Sequence, residues 1–308
     1  MNGPKSSQSP NANQDPSLML TTPELVKALG STDARIRSYA VGRLGLVNTG
    51  TQVREVMPSL IKLLHDPDRD IRGEVLALLF LFPDAATQAV PTLLEIMTDL
   101  KEPGDIRYLA IGVVEKIRAE PKVVVPSLME LLSVRHRNPR IRISPISIEK
   151  LGPDDLRISA ANALGDLGAA SKAAVPILTE IVKSRNEASE MQIAAIRALP
   201  AIGPDAKEAI PVLAEALQSD DWGLRESAAT ALGRFGPEAQ NAVPALIAAM
   251  KDKELEVRRE AIRALGAIGP DAKAAIEPLK GALAEKAVKL TAKDALKKIA
   301  PSVVVPSK

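Results

Sequence analysis

A proline preceded by an apolar residue returns along almost the whole chain, and this repetition constrains the fold more than any other feature. The marks are Met57-Pro58, Val90-Pro91, Val125-Pro126, Val175-Pro176, Ile210-Pro211 and Val243-Pro244, with Thr22-Pro23 and Glu277-Pro278 as terminal variants. Successive prolines lie 35, 33, 35, 50, 35, 33 and 34 residues apart. Two stretches show how much of the unit recurs: IGPDAKEAIPVLAEALQSDDWGLRESAATALGRFG at 202–236 and FGPEAQNAVPALIAAMKDKELEVRREAIRALGAIG at 235–269. A unit this short cannot bury its apolar face alone. The eight marks therefore predict one stacked array rather than separately folded domains.

Each unit contains two helical periods. Val257, Ala261, Leu265 and Ile268 fall on one face of such a helix, with Arg259 and Arg263 opposite. Gly203, Gly236 and Gly269 end these helices with a residue free to take left-handed backbone, and Pro204, Pro237 and Pro270 open the next turn. The recurrent proline seven or eight positions later is expected to bend the first helix, because it lacks an N–H and crowds the preceding turn. Asp66, Asn186 and Asp252 fall between the helices, where they would cap the second helix or bond nearby backbone.

Composition agrees with close helix packing. Hydrophobic residues make up 46% of the chain and aromatics only 2%, so the core must be aliphatic. That suits neither a strand-rich sandwich nor a base-stacking platform. Lys and Arg number 40 against 38 Asp and Glu, a net charge of +2, which implies no polyanion partner. The absence of cysteine excludes disulfides, thiolate metal sites and cysteine nucleophiles. Residues 1–20 are read as a disordered polar tail, 21–300 as the array and 301–308 as a frayed end. The tail has no apolar core of a signal peptide, so a cytoplasmic location is expected. No run approaches the roughly 18 apolar residues of a membrane-spanning helix.

An arginine follows the proline by fourteen residues in four units, at Arg37, Arg72, Arg225 and Arg258. Arg107 comes sixteen residues after its proline, Arg157 holds the place after an insertion, and Gln192 stands there in the fifth unit. With the acids between the helices, these arginines predict an ionic ladder from repeat to repeat. The whole unit, apolar-Pro-x-Leu…Asp…Val/Ile-Arg-x-x-Ala…Ala-Leu-Gly-x-Ile/Phe-Gly, resembles HEAT repeats and the HEAT-like repeats of phycobilisome lyases, from about Thr21 to Ala300. The resemblance implies an all-α, right-handed α-solenoid of about eight HEAT-like helix pairs, with the second helices lining a concave face. The departures are Gln192, the long fourth unit and the eighth unit. The eighth gains Lys286, Lys289, Lys293, Lys297 and Lys298, as a solvent-facing cap should.

Chemistry finds little to stand on. His65 and His136 are the two histidines, too few without cysteine for a zinc site. HEAT-like deoxyhypusine hydroxylases depend on repeated His-Glu pairs, and this sequence has no His-Glu dipeptide. HEAT-type alkylpurine DNA glycosylases bind DNA along a basic face with aromatic residues. Trp222 sits in the turn SDDWG beside Asp220 and Asp221, a poor setting for phosphate, and reads as a turn residue packed on the next unit. Asp154-Asp155 and Asp220-Asp221 start helices and read as caps. No catalytic, cofactor or metal residue is assigned.

Binding surfaces are more legible. Counting from the ladder arginine, inward slots fall one, five and nine residues later. They read Gly73, Ala77, Leu81 in the second unit and Tyr108, Gly112, Lys116 in the third. Arg197 follows in the fifth, Glu226, Thr230, Arg234 in the sixth, and Arg259, Arg263, Ala267 in the seventh, a change from apolar to basic. EVLALLFLF (74–82) is apolar nearly all round and is expected to lie deep between units; the other reading leaves Phe80, Leu81 and Phe82 exposed. The 50-residue spacing places an insertion at 134–153, where Pro139, Pro145 and Pro153 forbid a continuous helix. Its Arg135, His136, Arg137, Arg140 and Arg142 suit an acidic partner. The expected function is a non-catalytic protein-interaction scaffold that binds through Arg135, Arg137, Arg140, Arg142, Tyr108, Arg197, Arg234, Arg259 and Arg263. The alternative is a lyase-like enzyme or an accessory factor for cofactor attachment.

Overall fold

The repeated pattern of apolar steps, glycine stops and inter-helix acids produces helix pairs throughout. The structure, a computed structural model, describes residues 20–47, 50–133 and 153–301, and every regular element among them is helical. It divides into two compact units, Met1–Ala119 and Glu120–Lys308. The first unit holds α1 (Thr22–Leu29) with α2 (Ala34–Val47), then α3 (Gly50–Glu55) and α4 (Met57–Leu63) with α5 (Arg69–Leu81). Its third pair is α6 (Val90–Thr98) with α7 (Gly104–Ile117). The second unit begins with α8 (Pro121–Ser133) and α9 (Pro153–Asp166), followed by α10 (Val175–Lys183) and α11 (Ser189–Ile202). Next come α12 (Ile210–Ala216) with α13 (Trp222–Phe235), and α14 (Val243–Ala249) with α15 (Leu255–Ile268). The last pair is α16 (Ile276–Ala282) with α17 (Lys289–Ile299). Among the described residues, no helix is long and apolar enough to cross a membrane.

The recurrent proline does not bend the first helix; it opens it. Pro58, Pro91, Pro176, Pro211 and Pro244 stand in the first turn of α4, α6, α10, α12 and α14. There the missing N–H would have had no helical partner, so the residue costs nothing. Tight 3-10 turns lead into several of these helices, at Gly168–Ala174, Pro204–Ala209, Gly236–Ala242 and Gly269–Ala275. Pro126 is different and lies inside α8. Gly203, Gly236 and Gly269 do stop their helices at positive φ, but with ψ of −154°, −133° and −140°. That backbone region lies beyond the left-handed helix basin and is open essentially to glycine alone.

The second helices of the second unit pack through small residues. A methyl group on Gly165 would lie 3.1 Å from the Ala198 Cα, one on Gly233 3.1 Å from the Ala264 Cα, and one on Gly266 2.9 Å from the Ala295 Cα. The recurrent Ala-Leu-Gly is thus a contact between neighbouring backbones, and aliphatic side chains such as Leu164, Leu199, Leu232 and Leu265 fill the core behind it.

The ionic ladder is present within each unit. Arg37 pairs with Asp66 at 2.7 Å and Arg72 with Glu102 at 3.1 Å. In the second unit Arg157 pairs with Glu187, Arg225 with Asp252 and Arg258 with Glu285, each at 2.7 Å. Asp66 and Asp252 also accept the backbone N–H two residues on, both at 2.9 Å. Helix caps include Asp68 on α5 and Asp221 on α13. In the fifth repeat Glu187, not Asn186, supplies the acid. Arg107 departs from the ladder: buried, it donates Nε–H to the Met97 carbonyl at 3.0 Å and has no carboxylate partner among the described residues. Burial lowers its pKa, opposed by the charge of Asp99.

Two further expectations change. Trp222 is the first residue of α13, not an inter-helix turn residue, and is 52% exposed. The apolar helix α5 buries Val75, Leu76, Leu78 and Leu79 but leaves Phe80 and Leu81 exposed.

Candidate partner-binding surface

Close approach of the second helices has a consequence for the surface they present. Beside Gly233 and Gly266, a cavity of about 540 Å³ opens over α13, α15 and α17. Its floor is Ala229, Gly233, Ala264 and Gly266, and its walls include Thr230, Arg234, Glu260 and Arg263. α17 adds Leu290, Thr291, Asp294 and Lys298. Arg263 pairs with Glu260 one turn before it, and the Thr230 hydroxyl donates to Glu260 at 3.4 Å. Arg234 reaches from α13 to the carbonyl of Arg197 on α11, at 3.4 Å.

The cavity brings together two of the residues expected to bind a partner, Arg234 and Arg263. Arg197 is exposed beside them and linked through its own carbonyl. Arg259 is half-buried and donates Nε–H to the Ala287 carbonyl at 3.3 Å, so part of its donor set already serves the fold. Tyr108 belongs to the first unit, where it is exposed on α7. Arg135, Arg137, Arg140 and Arg142 lie outside the described residues.

Sequence reasoning missed Lys298, Asp294 and Leu290. The signal was present but displaced. The contact of Gly266 with Ala295 aligns α17 with α15 so that Leu290, Asp294 and Lys298 occupy the three inward slots. Counting from Pro278 misplaces them by three residues, because the ladder position falls at Lys289, the first residue of α17, whereas Arg258 is the fourth residue of α15.

The first unit presents a different face. Leu46 on α2 is 81% exposed and Leu81 on α5 is 64% exposed, both in the ninth-residue slot. Gly42, Ala77 and Gly112 occupy the fifth-residue slot and leave the helix backbones thinly covered. Lys116 lies over the Phe80 ring at 5.5 Å from its centroid, an exposed cation–π contact. Among the described residues no group of three His, Asp or Glu side chains could hold a metal ion.

Comparison with known proteins is consistent with this architecture. The family model described as HEAT repeats matches residues 145–233 and 210–300. An engineered protein of known structure is 23% identical, with a TM-score of 0.57, covering 91% of this chain and 78% of its own. Kap121p, solved bound to Nup53p, is 12% identical with a TM-score of 0.58 over 91% of this chain. This chain spans 33% of Kap121p. The CpcE–CpcF phycocyanin lyase complex of Nostoc sp. PCC7120 is 19% identical over 96% of this chain and 100% of its own, with a TM-score of 0.41. The likenesses to the engineered protein and to Kap121p speak to fold alone. No match was found among curated proteins.

Proposed function

Since the chain belongs to the HEAT-repeat family, we propose that it is a non-catalytic scaffold holding a partner protein against the exposed faces of its second helices. HEAT repeats typically mediate protein binding. The observation that carries the reading is a division of labour among side chains. The ladder arginines are spent on repeat junctions, whereas Leu46, Leu81, Arg234 and Lys298 project from the second helices without a packing role that explains them. Large exposed side chains in consecutive slots mark an interaction surface.

The test is partner capture from the native source by the whole chain and by two variants, Leu46→Ser/Leu81→Ser and Arg234→Ala/Lys298→Ala. Loss of captured protein at an unchanged melting temperature supports the scaffold. Capture that survives both variants redirects attention to the basic insertion, where shortening residues 136–150 should then weaken it in a salt-sensitive way. A stoichiometric chromophore or metal in the purified protein would instead favour the lyase-like alternative.

A further inference from the structure

We infer that the cavity over α13, α15 and α17 takes an acidic segment of the partner, with its carboxylates against Arg234 and Lys298. This rests on the scaffold reading and adds the chemistry that the partner must carry. The cavity, at about 540 Å³, falls within the range of roughly 300–1,000 Å³ typical of ligand sites. Its floor of glycine and alanine lets a chain approach the helices closely.

The internal pairing of charges leaves two cations over. Arg263 is held by Glu260, and Asp294 lies 3.9 Å from Lys297. Arg234 contacts only a carbonyl, at 3.4 Å. Lys298 lines the same cavity and has no carboxylate partner among the described residues. A guanidinium and an ammonium facing one open cavity form a receptor for carboxylates, and they supply the charge-assisted hydrogen bonds that discriminate partners.

The same lining argues for a peptide over a nucleic acid. An extended peptide brings backbone N–H groups, which a phosphate backbone lacks, and the Glu260 and Asp294 carboxylates and the Thr230 and Thr291 hydroxyls can accept hydrogen bonds from them. No aromatic side chain lines the cavity for bases to stack on. Leu290, 71% exposed at the rim, offers an apolar contact that a peptide side chain can cover.

The experiment selects binders for the whole chain from a library of short random peptides, with an oligothymidylate as a competing probe. The expected result is enrichment of Asp and Glu. Arg234→Ala/Lys298→Ala should weaken the selected peptides about three- to tenfold at an unchanged melting temperature. The control Lys251→Ala/Lys273→Ala should not weaken them. Arg234→Glu/Lys298→Glu should shift the selected peptides toward Lys and Arg. Selected peptides without acidic enrichment, or acidic ones indifferent to both cavity variants, would overturn the inference and leave the scaffold reading standing. Oligothymidylate bound through Arg234 and Lys298 in place of peptide would overturn both.

Discussion

Arg225 makes four hydrogen bonds at once, and only a planar fork of donors could do so. Nε and Nη2 donate to the two oxygens of Asp252 at 2.7 and 2.9 Å. Nη1 donates to the carbonyls of Ser219 and Asp220 at 2.8 and 3.0 Å. One side chain therefore closes its own inter-helix turn and ties it to the next. Replacing it with Ala orphans two carbonyls and a carboxylate, and should cost about 1–3 kcal/mol in urea unfolding. Arg225→Lys should recover little, because an ammonium cannot span both sides. Arg258 makes the same kind of junction with a more exposed Glu285, and its loss should cost less. The hydrogen bond from Arg225 is the main cause that holds Asp252 below the ordinary carboxylate pKa. With the folded value lower than the unfolded value near 3.9, the stabilisation is present at neutral pH and is lost as pH falls below about 4. Asp252→Asn should therefore lower stability at pH 7 and flatten the acid limb of a stability–pH curve. An acid limb unchanged in the variant would remove Asp252 as its source.

Among the helices, glycines of the same type serve opposite ends. Gly233 and Gly266 exist because the neighbouring backbone leaves no room for a methyl, while a methyl on Gly42 would meet nothing within 4 Å. Gly233→Ala and Gly266→Ala should each destabilise by about 1–3 kcal/mol through overpacking, despite the better helix propensity of alanine. Gly266 should be the worse, since its nearest atom is backbone at 2.9 Å. Gly42→Ala should stabilise by about 0.5–1 kcal/mol. Calorimetry of the three variants checks the signs. The sequence could show that Ala-Leu-Gly recurs but not which glycines face a neighbour, since that depends on the rotation of one helix against the next. The proline was misread for a similar reason: a 3-10 lead-in and an α-helix share apolar steps of three, so the boundary between them leaves no mark in the pattern. The arginine ladder was readable in advance because both partners repeat in type and offset. The cavity was only half readable, because α17 starts at its ladder position rather than three residues before it, which breaks the register that identified Arg234 and Arg263.

Across the second unit, stability is approximately a sum over repeats and the junctions between them, and one junction lacks its ionic rung. Eight residues after the proline, where the second and seventh repeats carry Asp66 and Asp252, the sixth carries Ser219; the facing ladder position is Gln192. Both members of the pair are replaced together. Gln192 turns back to its own repeat and donates to the Val182 and Ser184 carbonyls at 2.8 and 3.1 Å. The Ser189 side chain faces Asp221 across the junction instead, and is the main cause lowering the Asp221 pKa. A cavity of about 890 Å³ lies at this junction, lined by Gln192, Ser219, Asp220 and Asp221 among others. Restoring the pair as Gln192→Arg/Ser219→Asp should rebuild the rung and add about 1 kcal/mol to the stability of the unit. Neither half should do so alone. Gln192→Arg places a cation against a serine, and Ser219→Asp sets a third carboxylate beside Asp220 and Asp221. The four proteins form a double-mutant cycle, and a coupling energy of at least about 0.5 kcal/mol is expected if the rung acts as a unit. Strict additivity in urea unfolding would show that the junction has been rebuilt around Ser189 and Asp221 and no longer accepts the ladder.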